Sequence, residues 1–270
     1  MDNNNSIYYP PDEMNTFLLP VTLGCSYNKC KFCSMYKDEK YFQVALSDIE
    51  MQLKNGYAYT EKVFLTGADP MSIGFEKMKQ LLGLIHHYLP YCACVASYAS
   101  IRSISNYSLE ELAILHDAGL RLLYIGFETG MDSVLEFMNK GHTVDQAIKE
   151  GKKLNEAKLS FNTIIMYGIA GKDKSVENAI ATAKMINQFV TNKVITMSLK
   201  VFHGTDLEAV VKRGKFISPS RNERLLEIKT LIENLRPKGS LIFDTTHPTN
   251  IIKIKGILPK DKARLIKAVG

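Results

Sequence analysis

Three of the five cysteines in this chain fall within nine residues, in the stretch GCSYNKCKFC, as Cys25, Cys30 and Cys33. Thiolates bind soft metals, and in a reducing compartment clustered cysteines point to a metal rather than to disulfides. Two metal chemistries compete for them. A structural zinc asks for four ligands around one ion. No second C-x-x-C pair is present, and Cys92 and Cys94 stand i, i+2 in a run that reads as a buried strand. An iron–sulfur cubane takes three thiolates on three of its irons and leaves the fourth iron open. An open iron accepts a ligand by amine and carboxylate together. The spacing therefore favours a 4Fe–4S cluster over zinc.

The elements that must carry this loop alternate in type. β-rich runs at 16 to 24, 61 to 67, 92 to 99, 121 to 128, 160 to 168 and 193 to 202 are separated by amphipathic stretches of helical period. A cap at Ser47 or Asp48 opens the first helix, and Ser108 with Glu111 forms a capping-box pattern that opens another. Strands alternating with helices imply right-handed crossovers and parallel pairing. The fold class expected is α/β, a partial (β/α)6 TIM-like barrel over residues 1–203 with a C-terminal α/β extension over 204–270 in the same structural unit. The cysteine loop then leaves the C-terminal end of strand one, the end of such barrels that carries active sites.

Composition bounds the rest. The chain has 270 residues, 46% hydrophobic, enough for one large core. The polar start MDNNNSIYYPPDEMN lacks a signal-peptide pattern, and no apolar run nears the roughly 18 residues of a membrane span. A cytoplasmic protein with no membrane partner is expected. The net charge of +6 is scattered. The locally basic stretches GKFISPSRNERLLEIK and KIKGILPKDKARLIK read as solvated faces, with RNA or a phosphate-bearing substrate as the alternative.

Further motifs follow the later strands. LTGADP places Gly67, Ala68, Asp69 and Pro70 in a tight turn after strand two. IGFETG puts Glu128 at the end of strand four, where a carboxylate suits ribose hydroxyls, and EFMNKGHT supplies Lys140. Arg102, in ASIRSI, follows strand three, and NTIIMYGIAG carries Met166 and Gly168. His203 and His247 lie near and beyond strand six, and either could bind substrate or move a proton.

On these residues the chain resembles radical S-adenosylmethionine enzymes over essentially its whole length, and distantly the branch of oxygen-independent coproporphyrinogen oxidase. The resemblance implies a 4Fe–4S cluster on Cys25, Cys30 and Cys33. It further implies reductive cleavage of S-adenosylmethionine to methionine and a 5′-deoxyadenosyl radical, which takes hydrogen from a small or medium substrate. By the same resemblance Phe32 and Met166 flank adenine and Gly168 turns beneath it. Gly67, Ala68 and Asp69 stand where the family keeps its Gly-Gly-Glu-Pro turn against the methionine amine. Glu128 meets ribose, and Lys140, with Arg102 as a rival, pairs with the methionine carboxylate. An external one-electron donor such as flavodoxin or ferredoxin is implied as partner. Three departures stand out. Four residues separate Cys25 from Cys30 where three are usual, Asp69 replaces Glu, and His203-Gly-Thr-Asp-Leu replaces a Pro-Gly-Thr-Pro-Leu stretch. The branch also includes haem-binding proteins, and a nucleotide- or tRNA-modifying enzyme is a further alternative.

Overall fold

Strands buried on both faces read as unbroken apolar runs, and β4 (Lys62–Thr66) accordingly buries Val63, Phe64 and Leu65 alike. The structure, a computed structural model, describes residues 8–270. Two compact units divide the chain. The first comprises Met1–Asn28, Tyr36–Tyr124 and Ala157–Leu159, and the second Lys29–Met35, Ile125–Glu156 and Ser160–Gly270.

The first unit contains β1 (Phe17–Pro20), β2 (Thr22–Leu23), β3 (Phe42–Gln43), β4, β5 (Cys94–Ala99) and the beginning of β6 (Leu120–Glu128). Its sheet runs β1-β4-β5-β6. Pairing is parallel, with Phe17 opposite Val63 and Val63 opposite Val95. Helices α1 (Leu46–Lys54), α2 (Phe75–Tyr88), α3 (Ile101–Ile104) and α4 (Leu109–Asp117) connect the strands. Ile49 and Leu53 on α1, and Met78, Leu81, Leu82 and Ile85 on α2, recur at helical spacing and are buried. Each such side chain contributes about 1.5–3 kcal/mol. The capping box at Ser108 and Glu111 is formed, with Glu111 N–H donating to Ser108 Oγ at 3.1 Å and Ser108 N–H to Glu111 Oε2 at 2.8 Å.

Three local expectations need correction. The run 16 to 24 is two strands, because β4 ends at Thr66, leaving β2 to pair antiparallel with β3. Helix α1 starts at Leu46 with Ala45 at the cap position and no side-chain cap, not at Ser47 or Asp48. The β2–β3 ribbon sets that start: Val44 N–H donates to Val21 O at 2.9 Å, and the Ala45 carbonyl takes the first helical N–H groups. The one-turn helix α3, which carries Arg102, is added between β5 and α4.

The second unit holds the end of β6 and then β7 (Ser160–Tyr167), β8 (Lys193–Ser198), β9 (Leu241–Asp244) and β10 (Lys255–Leu258), in that order. β7/β8 and β8/β9 are parallel and β10 is antiparallel to β9. Its helices are α5 (Asp132–Phe137), α6 (Val144–Glu156), α7 (Ser175–Ile186), α8 (Asp206–Lys212), α9 (Arg221–Asn234) and α10 (Lys262–Val269). Residues 204–270 contribute helices α8, α9 and α10 and strands β9 and β10. Strand six, read as 193 to 202, stops at Ser198 because its partner β7 ends at Tyr167 and turns away at Gly168, φ +75°. Two apolar groups fill this unit. Phe127, Phe161 and Phe189 cluster with ring centres within 6.0 Å of one another. Val134, Met138, Ile169, Leu199, Leu207, Val210 and Phe216 form the other, against which Phe32 and Met166 pack.

Candidate active site

The first unit carries one cysteine, one turn and Arg102 of the expected set. Gly24 (φ +67°) turns the chain into the cysteine loop. A Cβ there would sit 2.8 Å from the Lys40 carbonyl oxygen, so no other residue fits. Asn28, in the left-handed region at φ +46°, donates its backbone N–H to Cys25 Sγ at 3.3 Å. Its side-chain amide donates to Tyr36 O at 2.8 Å and Lys37 O at 3.2 Å. Asparagine tolerates this conformation better than most residues, and it lies among the four residues between Cys25 and Cys30. The Arg102 guanidinium lies 4.3 Å from the centre of the Tyr27 ring, a cation–π contact onto the same loop. This contact belongs to loop packing, which differs from the carboxylate pairing expected of Arg102.

The Gly67 turn after β4 is tight. Gly67 has φ +126°, and an added Cβ would lie 2.1 Å from Thr22 Oγ1 and 2.5 Å from Thr22 O. We expect Gly67→Ala to lower unfolding free energy by about 1–3 kcal/mol, from overpacking and a disallowed φ together, in chemical denaturation. Asp69 is buried and its carboxylate is engaged. It accepts from Ser100 Oγ at 2.6 Å and Ser103 Oγ at 2.8 Å, and from Ser100 N–H at 3.3 Å. Asp69 therefore clasps the turn to the start of α3.

The second unit gathers more of the set. Cys33 N–H donates to Cys30 O at 3.3 Å, making a turn that presents both thiols. The surrounding residues are fastened on two sides: Lys31 N–H donates to Met138 O at 3.0 Å, and Leu207 N–H donates to Lys31 O at 2.9 Å. Asn139 adds a side-chain bond to Lys29 O at 3.0 Å. Phe32 packs into the apolar group with Met166, and the Lys140 ammonium lies 5.9 Å from its ring centre.

Lys140 and Glu128 form a buried ion pair, Nζ to Oε1 2.7 Å, with side chains 16% and 7% exposed. Burial alone would pull the Lys140 ammonium down, but Glu128, Cys30 and Cys33 act together to push it well above its ordinary range. Glu128 ends its strand at φ +64°, a conformation that costs a non-glycine residue about 1–3 kcal/mol. Its other oxygen, Oε2, is buried with no hydrogen-bond partner. Gly126 makes room for the pair, since a Cβ would stand 2.5 Å from Glu128 Oε1 and 3.0 Å from Lys140 Nζ. Two residues beyond Lys140, His142 is buried and its Nε2 also lacks a partner. Burial, with Lys140 nearby, pulls His142 down to about 3 against a hydrogen bond to the Phe127 backbone, so the imidazole is neutral. In sequence, what points to His142 is its adjacency to Lys140 in NKGHT.

Gly168 donates its N–H to Glu227 Oε2 at 2.8 Å. His203 stands apart, 94% exposed, with Nδ1 3.3 Å from Glu208. His247 lies by the end of β8: its Nδ1 is 2.8 Å from Thr249 Oγ1, which accepts from Ser198 N–H at 3.0 Å. Burial and the Lys200 charge pull His247 below its usual range.

Among the described residues no two cysteines are joined in a disulfide. Among the described residues no three His, Cys, Asp or Glu side chains stand together as ligands to one metal ion. A cubane spreads its thiolates over three irons and does not ask for such a set. The donor chemistry fits a cluster: three thiols on one loop, a backbone N–H on Cys25 Sγ, and a cation acting on the other two sulfurs. Among the described residues no helix is long and apolar enough to cross a membrane.

Comparison with known proteins adds to this geometry. Residues 19–183 match the family described as "Radical SAM superfamily". A "Heme chaperone HemW" of Bacillus subtilis (strain 168) is 27% identical over 221 residues, which are 80% of this chain and 56% of that protein. The chain thus spans little more than half the length of this relative. Among solved structures, methylornithine synthase (PylB) superposes with TM-score 0.62 at 16% identity, covering 94% of this chain and 69% of that one. Coproporphyrinogen III oxidase (HemN) from Escherichia coli superposes with TM-score 0.56 at 14% identity, covering 81% and 50%. At these identities the likeness shows the fold.

Proposed function

Taking as premise that the chain belongs to the Radical SAM superfamily, we propose that it holds a 4Fe–4S cluster on Cys25, Cys30 and Cys33 and cleaves S-adenosylmethionine reductively. The observation that carries this reading is the buried Glu128–Lys140 pair, whose cation acts on both Cys30 and Cys33. When bound, the cluster supplies one electron to the sulfonium, releasing methionine and the 5′-deoxyadenosyl radical that abstracts hydrogen from a small or medium substrate. The chain's own residues bind and exclude. Lys140 offers a point charge to the methionine carboxylate. The Glu128 Oε2 atom, buried and unpartnered, is an acceptor of the kind ribose hydroxyls satisfy. Phe32 and Met166 supply the apolar surface for adenine beside the Gly168 turn.

The engagement of Asp69 with Ser100 and Ser103 revises one expected role. In this reading Asp69 holds the turn, and the backbone of Gly67 and Ala68 meets the methionine amine. Arg102 steadies the cysteine loop through Tyr27. His203 and His247 remain candidates on the substrate side. The electron comes from an external one-electron donor such as flavodoxin or ferredoxin, and the cytoplasm is the compartment such chemistry suits.

Anaerobic reconstitution, then incubation with S-adenosylmethionine and dithionite, tests the reading by mass spectrometry of 5′-deoxyadenosine. Turnover of the cosubstrate supports it; a fully loaded cluster that produces none sinks it. A second reading, haem carriage without catalysis, draws on the 27% identity to a haem chaperone. Stoichiometric haem binding by a protein that forms no 5′-deoxyadenosine would favour that one.

A further inference from the structure

Helix α9 sends a carboxylate beneath the turn that follows β7. Glu227 is 1% exposed. Its Oε2 accepts the Gly168 N–H at 2.8 Å and its Oε1 accepts from Asn178 Nδ2 on α7 at 2.7 Å. Ser175, also on α7, faces the same carboxylate. Asn178 then passes the connection on, since its Oδ1 accepts from the Thr129 hydroxyl, and Thr129 Oγ1 accepts the Met131 N–H at 3.1 Å. On the next turn of α7, Thr182 Oγ1 accepts the Gly130 N–H at 3.0 Å. The packing there leaves no slack, because a Cβ on Gly130 would stand 2.3 Å from Ala181 O. A cavity of about 10 Å³, the size of one water, is lined by Glu128, Met166, Asn178, Thr182 and Glu227 among others.

A core position does not need this carboxylate. Burying a charge costs several kcal/mol, and an apolar residue of like volume is often as stable or more so. What the carboxylate does and an apolar side chain cannot is fix the N–H of Gly168 and, through Asn178, the segment that begins at Glu128. We propose that Glu227 is a positioning residue. Its carboxylate sets the Gly168 turn and the Glu128–Thr129 segment together, so that α9 shapes the adenosine half of the cosubstrate pocket. The inference rests on the proposed cleavage of S-adenosylmethionine.

Ionisation matters to this role. Two donors face the two oxygens, and only the ionised carboxylate accepts from both at once. Burial pushes the Glu227 carboxyl up to about 7. The polar groups facing it are Asn178 and Ser175 from α7, the Gly168 N–H and Tyr167 from the β7 end, and Arg224 on α9 itself. Because the folded value lies above the unfolded one, this group's contribution to stability is greatest below about 4.5 and falls as pH rises towards 7. Order in the pocket changes the opposite way, rising as the carboxyl ionises.

The test measures S-adenosylmethionine affinity of the reconstituted, unreduced protein between pH 6 and 8, by equilibrium dialysis. Iron content and melting temperature serve as folding controls. Native protein is expected to bind more tightly as pH rises through about 7. Glu227→Gln, neutral at every pH, is expected to bind about tenfold more weakly with a flat profile and unchanged iron content. Asn178→Ala, which cuts the relay and leaves the carboxylate, is expected to weaken binding while keeping the pH slope. Native affinity and slope in Glu227→Gln would overturn the inference. Should that variant fail to fold, unaltered affinity in Asn178→Ala would overturn it equally. Native protein that binds no S-adenosylmethionine at any pH fails the cleavage reading itself, a different outcome from a native-like variant.

Discussion

Cys30→Ala is expected to lose the cluster and with it all measurable 5′-deoxyadenosine, a drop of at least about a hundredfold, while the protein still folds. Three thiolates on one loop are the fewest that hold a cubane while leaving an iron open, and removing one leaves an incomplete set. The sulfur lies on a partly exposed loop, so little apolar burial is lost with it. Cys25→Ala and Cys33→Ala should behave alike. Cys92→Ala and Cys94→Ala provide the contrast. Both residues belong to the β5 region, burial pushes both thiols up, and the Cys92 thiol donates to Cys94 O at 3.6 Å. A protonated thiol is a poor ligand, so these two variants should retain native iron content. Iron analysis and visible absorbance after anaerobic reconstitution read the result. Full iron loading of Cys30→Ala would refute the assigned ligand set, and about one zinc with no iron in the native protein would refute the cluster.

Lys140→Met is the second large effect. It strips the partner from a Glu128 carboxylate whose side chain is only 7% exposed. Breaking a buried pair from one side costs about 3–5 kcal/mol, chiefly the penalty of the charge left behind. Glu128→Gln combined with Lys140→Met removes both charges and should recover much of that loss, because an apolar side chain facing a neutral amide leaves no orphaned ion. Urea denaturation of the metal-free single and double variants measures this. Function should not recover: both proteins should bind S-adenosylmethionine at least about tenfold more weakly, since both lack the ammonium that pairs with the methionine carboxylate. Equal stabilities for Lys140→Met and the double variant would mean the pair contributes by packing and not by charge.

Much of this molecule is legible from local pattern because local physics governs it. The nine-residue cysteine cluster, the alternation of apolar runs with amphipathic stretches, and the capping box at Ser108 and Glu111 each need only neighbours in sequence. The alternation implies the α/β fold, and the cysteine loop, with the turns after later strands, carries the resemblance to radical S-adenosylmethionine enzymes. Helix α1 shows where local pattern stops, since Ser47 and Asp48 are good caps on paper. The β2–β3 ribbon delivers the chain one step earlier, and Ala45 takes the position.

Cys25, Cys30 and Cys33 are determined by sequence alone, in number and spacing. The roles of the polar groups beyond that loop were decided by tertiary structure. Asp69 turned out to clasp Ser100 and Ser103, 31 and 34 residues away, and Glu227 reaches back 59 residues to Gly168. His142 became a neutral, buried base through burial and the nearby charge of Lys140. A carboxylate's role is set by which donors surround it, and an imidazole's by how much water it keeps. Neither is encoded at the residue, because both are supplied by segments that meet only when the chain has folded.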